Sequence, residues 1–432
     1  MPPRDGATGI PGYVRMMLLR AAVVSLMFFS GSIASPGLYV CAFAQDREQV
    51  EQDTSWVEER IDDLQDVLDR DEAEPVEGVE TLRLAPLVGG IQSGAGITVG
   101  IRFIPVRSEH LFTAVDLRGS HRNYYSVGAQ LGYEWGSFLL HGFGRYRHMP
   151  EENFFGIGPD VSDDDETDYR LNDLITGAQL GYIVADDLLA GVHASYLANY
   201  LGSGKDDDEP DIEDIFDPVE VPGFGVDTRY GLFGAWLQYD TRDLDYSTAF
   251  GSRLAPTSPR IRNISFTATR GLYGTAEVRR YSQVDGDGFS FTEGEVELQQ
   301  YLPLSGGKHV IAFREYGLFT TPDEDDEVPF YLLPTLGGSR TLRGYETFQF
   351  RDQNALLANI EYRWNGWPYI QPAVFFDAGN VFPGFSDIEI EDTKVNVGAA
   401  LRLIIRSRAV FRAEAAYGEE GVRAYVRLGF YR

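Results

Sequence analysis

Near the end of the chain, Val422, Ala424, Val426, Leu428 and Phe430 alternate with Arg423, Tyr425, Arg427 and Gly429. In an extended strand successive side chains point to opposite faces, so a period of two separates these sets onto the two faces of a sheet. The pattern returns in residues 354–364, where Leu356, Ala358, Ile360, Tyr362 and Trp364 oppose Glu361 and Arg363. It returns again in 394–406, where Val395, Val397, Ala399, Leu401 and Leu403 oppose Lys394, Asn396 and Arg402. A soluble sandwich would bury the apolar face and expose the charges. An apolar face tipped with aromatics, backed by Arg, Glu and Asn, instead suits a barrel with lipid outside and a polar interior.

Segments of this kind run from residue 81 to the end, at about 81–89, 96–104, 110–118, 124–134, 136–147, 167–182, 187–200 and 228–241, then 271–283, 289–302, 308–320, 354–364, 368–377, 394–405, 409–417 and 422–430. Their number is even, and most approach the ~9–11 residues that a tilted spanning strand needs. The fold class is therefore all-β: a 16-stranded antiparallel transmembrane β-barrel over 81–432, preceded by a short N-terminal periplasmic helix. Past residue 44 nothing approaches the ~18 unbroken apolar residues of a helical span. If the N-terminus is periplasmic, the long acidic connections 148–166, 201–227, 321–353 and 378–393 share the outer side. Most opposite connections are tight turns; the exception is a basic insertion at 242–270 carrying Arg253, Arg260 and Arg262.

Residues 1–44 read as a signal peptide: Arg15 and Arg20 precede an apolar run, and Ala42-Phe43-Ala44 fits a cleavage site. Residues 45–80 read as an acidic periplasmic segment. Within it, Ser55 and Glu58 have capping-box spacing ahead of Val57, Ile61, Leu64 and Leu68, which predicts a helix over 54–70. That helix is either a plug, a docking handle or a solvated tether. A net charge of −29 argues against a nucleic-acid partner. The single cysteine, Cys41, excludes a disulfide framework and a thiolate metal site, and it leaves with the signal peptide. No metal or other cofactor is expected. The runs Asp163–Glu166, Asp206–Glu209 and Asp323–Glu327 have the oxygen chemistry of Ca²⁺ or Mg²⁺ sites without the spacing of a calcium loop, and they read first as solvated charge.

Several strings then resemble one family. Leu336-Gly337-Gly338-Ser339-Arg340-Thr341-Leu342-Arg343-Gly344-Tyr345 resembles the signature R-G-F/Y loop of the BamA/TamA-type outer-membrane superfamily, whose short members are called bacterial surface antigens. Tyr239-Asp240-Thr241-Arg242-Asp243 resembles the D-x-R-D that ends the family's eighth strand, and the T-R-G that normally follows closely stands at Thr269-Arg270-Gly271. Gln299–Leu304, Phe375–Val381 and Phe154–Pro159 match as well.

The resemblance implies that the signature loop, about 321–353, folds back into the lumen. Arg343 would there meet acidic residues of the inner wall, for which Glu361 and Asp377 qualify by their faces, while Gly344 turns the chain with positive φ and Tyr345 packs on the wall. Asp240, Arg242, Asp243 and Gly271 would form a periplasmic turn motif. The resemblance also implies a non-enzymatic role in inserting or exporting proteins or lipids at the outer membrane. Only 36 residues run from Gln45 through Glu80, too few for the family's client-receiving POTRA domains. The implied partners are outer-membrane lipid, lipopolysaccharide and a periplasmic protein that supplies client-binding domains. A passive channel and a structural or adhesive surface protein stand as alternatives.

Overall fold

The computed structural model describes residues 83–106, 110–205, 210–217, 219–244, 267–367, 369–405 and 408–431. The signal peptide, the 54–70 helix, and Arg253, Arg260 and Arg262 lie outside the described residues. Sixteen strands make one sheet: β1 (Arg83–Val88), β2 (Thr98–Ile104), β3 (Leu111–Ser120), β4 (Tyr125–Trp135), β5 (Phe138–Phe154), β6 (Thr167–Ala185), β7 (Leu188–Ser203) and β8 (Thr228–Asp240), followed by β9 (Gly271–Gln283), β10 (Phe291–Leu304), β11 (His309–Pro322), β12 (Asn354–Trp364), β13 (Ile370–Phe382), β14 (Lys394–Ile405), β15 (Arg408–Gly418) and β16 (Gly421–Tyr431). Each pairs antiparallel with the next, the only order that short hairpin turns allow without crossovers.

All sixteen expected segments appear as strands, and several run further than the alternation indicates. β5 continues to Phe154 and β13 to Phe382, where Phe154, Val381 and Phe382 are buried. At these ends both faces of the strand are covered, so nothing demands a polar alternate and the period of two fades.

The expected closed barrel needs correction. Among the described residues no ladder joins β1 to β16, although the sheet's ends approach: Arg427 Nη2 donates to Ser93 Oγ at 3.4 Å. The cause is local. β1 has 6 residues against 11 in β16, and it ends at Gly89 and Gly90, whose φ of 75° and 90° turn the chain off the ladder.

Burial along the strands is inverted relative to a soluble protein. Ile360, Val374 and Val397 are exposed, whereas Glu361, Asp377, Asn396 and Arg402 are buried on the opposite face. Aromatic rings cluster at the short-turn rim: Tyr133 stacks on Trp135 at 5.7 Å, Trp135 on Phe138 at 5.5 Å, and Phe138 contacts Tyr182 at 5.0 Å. Tyr125 and Tyr146, 6.0 Å apart, stand at the other rim. β4 spans the two groups with 11 residues; at roughly 3.3 Å each and a tilt near 45°, that covers about 25 Å of height.

Candidate functional site: a loop seated inside the sheet

The connection between β11 and β12 turns inward and is held along its length by the wall. At its start, Phe330 packs edge-on against Phe154 and Tyr169, with centroids 5.1 and 4.9 Å apart. The Tyr331 hydroxyl meets Thr228 Oγ1 at 2.9 Å. At its end, Phe350–Arg351 form a two-residue ladder with Thr335–Leu336, and Arg351 donates to the Phe330 and Asn153 carbonyls at 3.0 and 3.3 Å. The Gly158 N–H donates to the Arg351 carbonyl at 2.7 Å, so the Phe154–Pro159 string serves as the loop's outer support.

Deeper in, Arg343 grips Asp377 with two parallel bonds, Nε to Oδ2 at 2.9 Å and Nη2 to Oδ1 at 2.6 Å. Its Nη1 reaches Glu361 Oε2 at 3.2 Å and Glu414 Oε1 at 3.4 Å. The guanidinium lies over the Phe375 ring, 3.3 Å from its centroid. Fork geometry suits Arg to carboxylates, and exclusion of water strengthens the pairs. Asp377 also accepts from Asn359 and Asn396, each at 2.8 Å, so both its oxygens are satisfied. Tyr345 is buried, its hydroxyl donating to the Val395 carbonyl at 3.1 Å.

Sequence reasoning had named Arg343, Glu361 and Asp377, and the structure brings all three together. It had not named Glu414 or Phe375 as partners, nor the neighbours that hold Glu361: Arg402 at 2.7 and 2.6 Å and Arg363 at 2.5 Å. The signal for Glu414 was present, since Arg412, Glu414 and Ala416 alternate on the inward face of β15. Phe375 was masked by its chemistry, because an aromatic reads as outward-facing until a cation is found above it.

The role expected of Gly344 is corrected. Positive φ falls at Gly337 (114°) and Gly338 (82°), not at Gly344. Gly344 is needed for close approach instead. Its N–H donates to Asn396 Oδ1 at 3.0 Å, and a Cβ there would stand 2.6 Å from Asn396 Cβ and 3.0 Å from the Gly418 nitrogen.

At the short-turn rim, Arg242 folds back on Asp240 with Nε–Oδ1 at 2.9 Å and Nη2–Oδ2 at 2.7 Å, and stacks on Tyr273 at 4.2 Å. Asp243 accepts from the Thr269 and Arg270 backbone N–H groups at 2.8 and 3.1 Å and from the Thr269 hydroxyl. The residues on either side of the long insertion thus meet as though contiguous. Gly271 completes the turn with φ 107°, where a Cβ would lie 2.4 Å from the Thr241 carbonyl.

Burial pushes the Asp243 carboxyl up, but the Thr269 and Arg270 donors outweigh it and hold its pKa below the usual carboxylate range. A depressed folded-state pKa contributes stability that is complete above the unfolded value, roughly 4, and is lost as pH falls through the folded value. Asp243→Asn is therefore expected to flatten the acid limb of an unfolding-versus-pH curve and to cost about 1–2 kcal/mol at neutral pH. An acid limb identical to that of the parent would refute this.

The acidic runs are engaged by arginines where they are described: Asp163 with Arg423 at 2.8 Å, and Asp323 with Arg280. Residues 206–209 lie outside the described residues.

Sixteen strands in sequential antiparallel order, apolar without and charged within, holding one inturned loop, define the class of membrane β-barrel folds with an internal loop. The chain belongs to the Omp85 superfamily, whose domain matches residues 146–420. Among solved structures, Haemophilus ducreyi BamA lacking POTRA domains 1–3 aligns with a TM-score of 0.57 at 12% identity, over 81% of this chain and 70% of that one. Escherichia coli CdiB aligns with a TM-score of 0.51 at 12% identity, over 82% of this chain and 63% of that one. At such identities the likeness is one of fold. No curated protein sequence matches.

Proposed function

We propose that the chain is an outer-membrane β-barrel without enzymatic activity that aids insertion or translocation of proteins or lipids. On this reading residues 1–44 are a removed signal peptide, 45–80 a periplasmic segment and 81–432 the barrel. The observation that carries the reading is the combination of an unjoined β1–β16 edge with an interior occupied by a pinned loop. An unpaired edge is a template for another strand, and the short β1 makes opening there cheap. A loop held at Asp377 and Glu361 opposes a wide open pore, and hence the passive-channel reading. A periplasmic partner would supply client-binding domains, and lipopolysaccharide would contact the outer rim.

The test is depletion of the protein followed by quantitative proteomics of purified outer membranes. Loss of a defined set of other barrels or surface lipoproteins is the expected result; an unchanged proteome would remove the assembly role. The lipid-facing assignment has its own check. Ile360 lies near the middle of β12 on the exposed face, so Ile360→Arg should cost about 2–4 kcal/mol in equilibrium unfolding from vesicles. Ile360→Leu should be neutral, and equal stabilities for the two variants would contradict a lipid-facing position.

A further inference from the structure

Between the loop tip and the wall of β10, β11, β12 and β15 there is a small recess of about 50 Å³. Five arginines line it, Arg314, Arg340, Arg343, Arg363 and Arg412, against a single carboxylate, Glu361. Three more carboxylates are bonded to these arginines from the side: Glu297 holds Arg314 at 2.7 Å, and Asp377 and Glu414 hold Arg343 at 2.6 and 3.4 Å. Arg402, paired with Glu361 and Glu414, joins the same cluster. The recess itself is thus faced mainly by guanidinium groups.

A second observation is independent of that charge. Ser339, at the loop tip and 2% exposed, lines the recess, and its Oγ has no hydrogen-bond partner. A buried hydroxyl left unpaired costs of the order of 1–3 kcal/mol, so an unpaired one beside a cavity marks the place of a missing acceptor. The Ser339 carbonyl is held by Arg412 Nη2 at 3.2 Å, which fixes this segment of the loop. Arg314 uses Nε on Glu297 and Nη1 on the Arg340 carbonyl and Asn359 Oδ1, which leaves Nη2 available to a ligand.

We infer that this recess is an oxyanion-binding site: a phosphate or carboxylate group would accept from the Ser339 hydroxyl and from Arg314 within an arginine-rich lining. The wall residues Glu361 and Arg363 are on the inward face of the sheet, opposite Ile360 and Tyr362, so the ligand arrives through the lumen and not from the surrounding lipid. The inference does not depend on an assembly role, because a conducting or structural barrel would hold the same site.

The test uses the full chain, purified in dodecyl maltoside in a low-salt buffer free of phosphate and carboxylates. Inorganic phosphate and acetate are titrated separately by calorimetry, which tells the two oxyanions apart. One saturable site is expected for at least one of them, weakened about tenfold by Ser339→Ala and by Arg314→Gln. Absence of saturable binding for both anions overturns the inference. So does binding that both variants leave unchanged. Should Arg314→Gln fail to fold, Ser339→Ala decides alone, since it removes one oxygen and leaves every wall contact in place.

Discussion

Arg343→Ala is expected to unseat the loop, lower the unfolding stability by about 3–5 kcal/mol and reduce steady-state levels of the folded barrel. The magnitude follows from what remains. Asp377, at 0% exposure, would lose its bidentate partner but keep Asn359 and Asn396, while Glu361 would keep Arg402 and Arg363. The uncompensated charge would therefore fall mainly on Asp377, and the Phe375 ring would lose the cation above it. A double-mutant cycle isolates this pair: Arg343→Ala with Asp377→Asn should cost clearly less than the sum of the single changes, because the second substitution removes the charge that the first strands. Heat-modifiability on a gel and equilibrium unfolding give the readout. Stability equal to the parent's would show that the loop is held by its outer aromatic contacts alone.

Gly344→Ala should release the loop without altering a single charge. Its new methyl would meet Asn396 Cβ at 2.6 Å and the Gly418 backbone nitrogen at 3.0 Å. Neither can withdraw easily: Asn396 is tied to Asp377, and Gly418 ends β15 at its turn to β16. The Arg343 fork sits one residue away, so a shift of an ångström there also misaligns its bonds to Asp377. With the loop displaced, the lumen should conduct, and current in planar bilayers should rise several-fold over the parent. Unchanged current would mean that the neighbouring strands absorb the methyl, or that the loop does not limit conduction. Heat-modifiability separates this effect from misfolding.

The strands were legible because alternation is a local property. Each needs only its own residues to declare a lipid-facing side and a polar side, as Leu356, Ile360 and Trp364 do against Glu361 and Arg363. Where both faces are covered, as at Phe154 or Phe382, the alternation lapses and the strand ends were read short. The turn motif was legible in its residues but broken by the insertion. Only the pairing of Asp243 with Thr269 and Arg270 shows that the break is spanned.

By itself, then, the sequence determined the number of strands, their sequential order, the sides they present and the loop whose arginine would seek carboxylates, because these follow from period, turn length and charge along neighbouring positions. Tertiary structure alone decided the rest. Arg343 meets residues 18, 34 and 71 positions away, and only curling of the sheet brings Glu361, Asp377 and Glu414 around one guanidinium. Gly344 carries no mark of its need for space until Asn396 and Gly418 stand against it. The unjoined edge likewise emerges only when a six-residue β1 is laid beside an eleven-residue β16, since pairing is a property of two strands and neither states it alone.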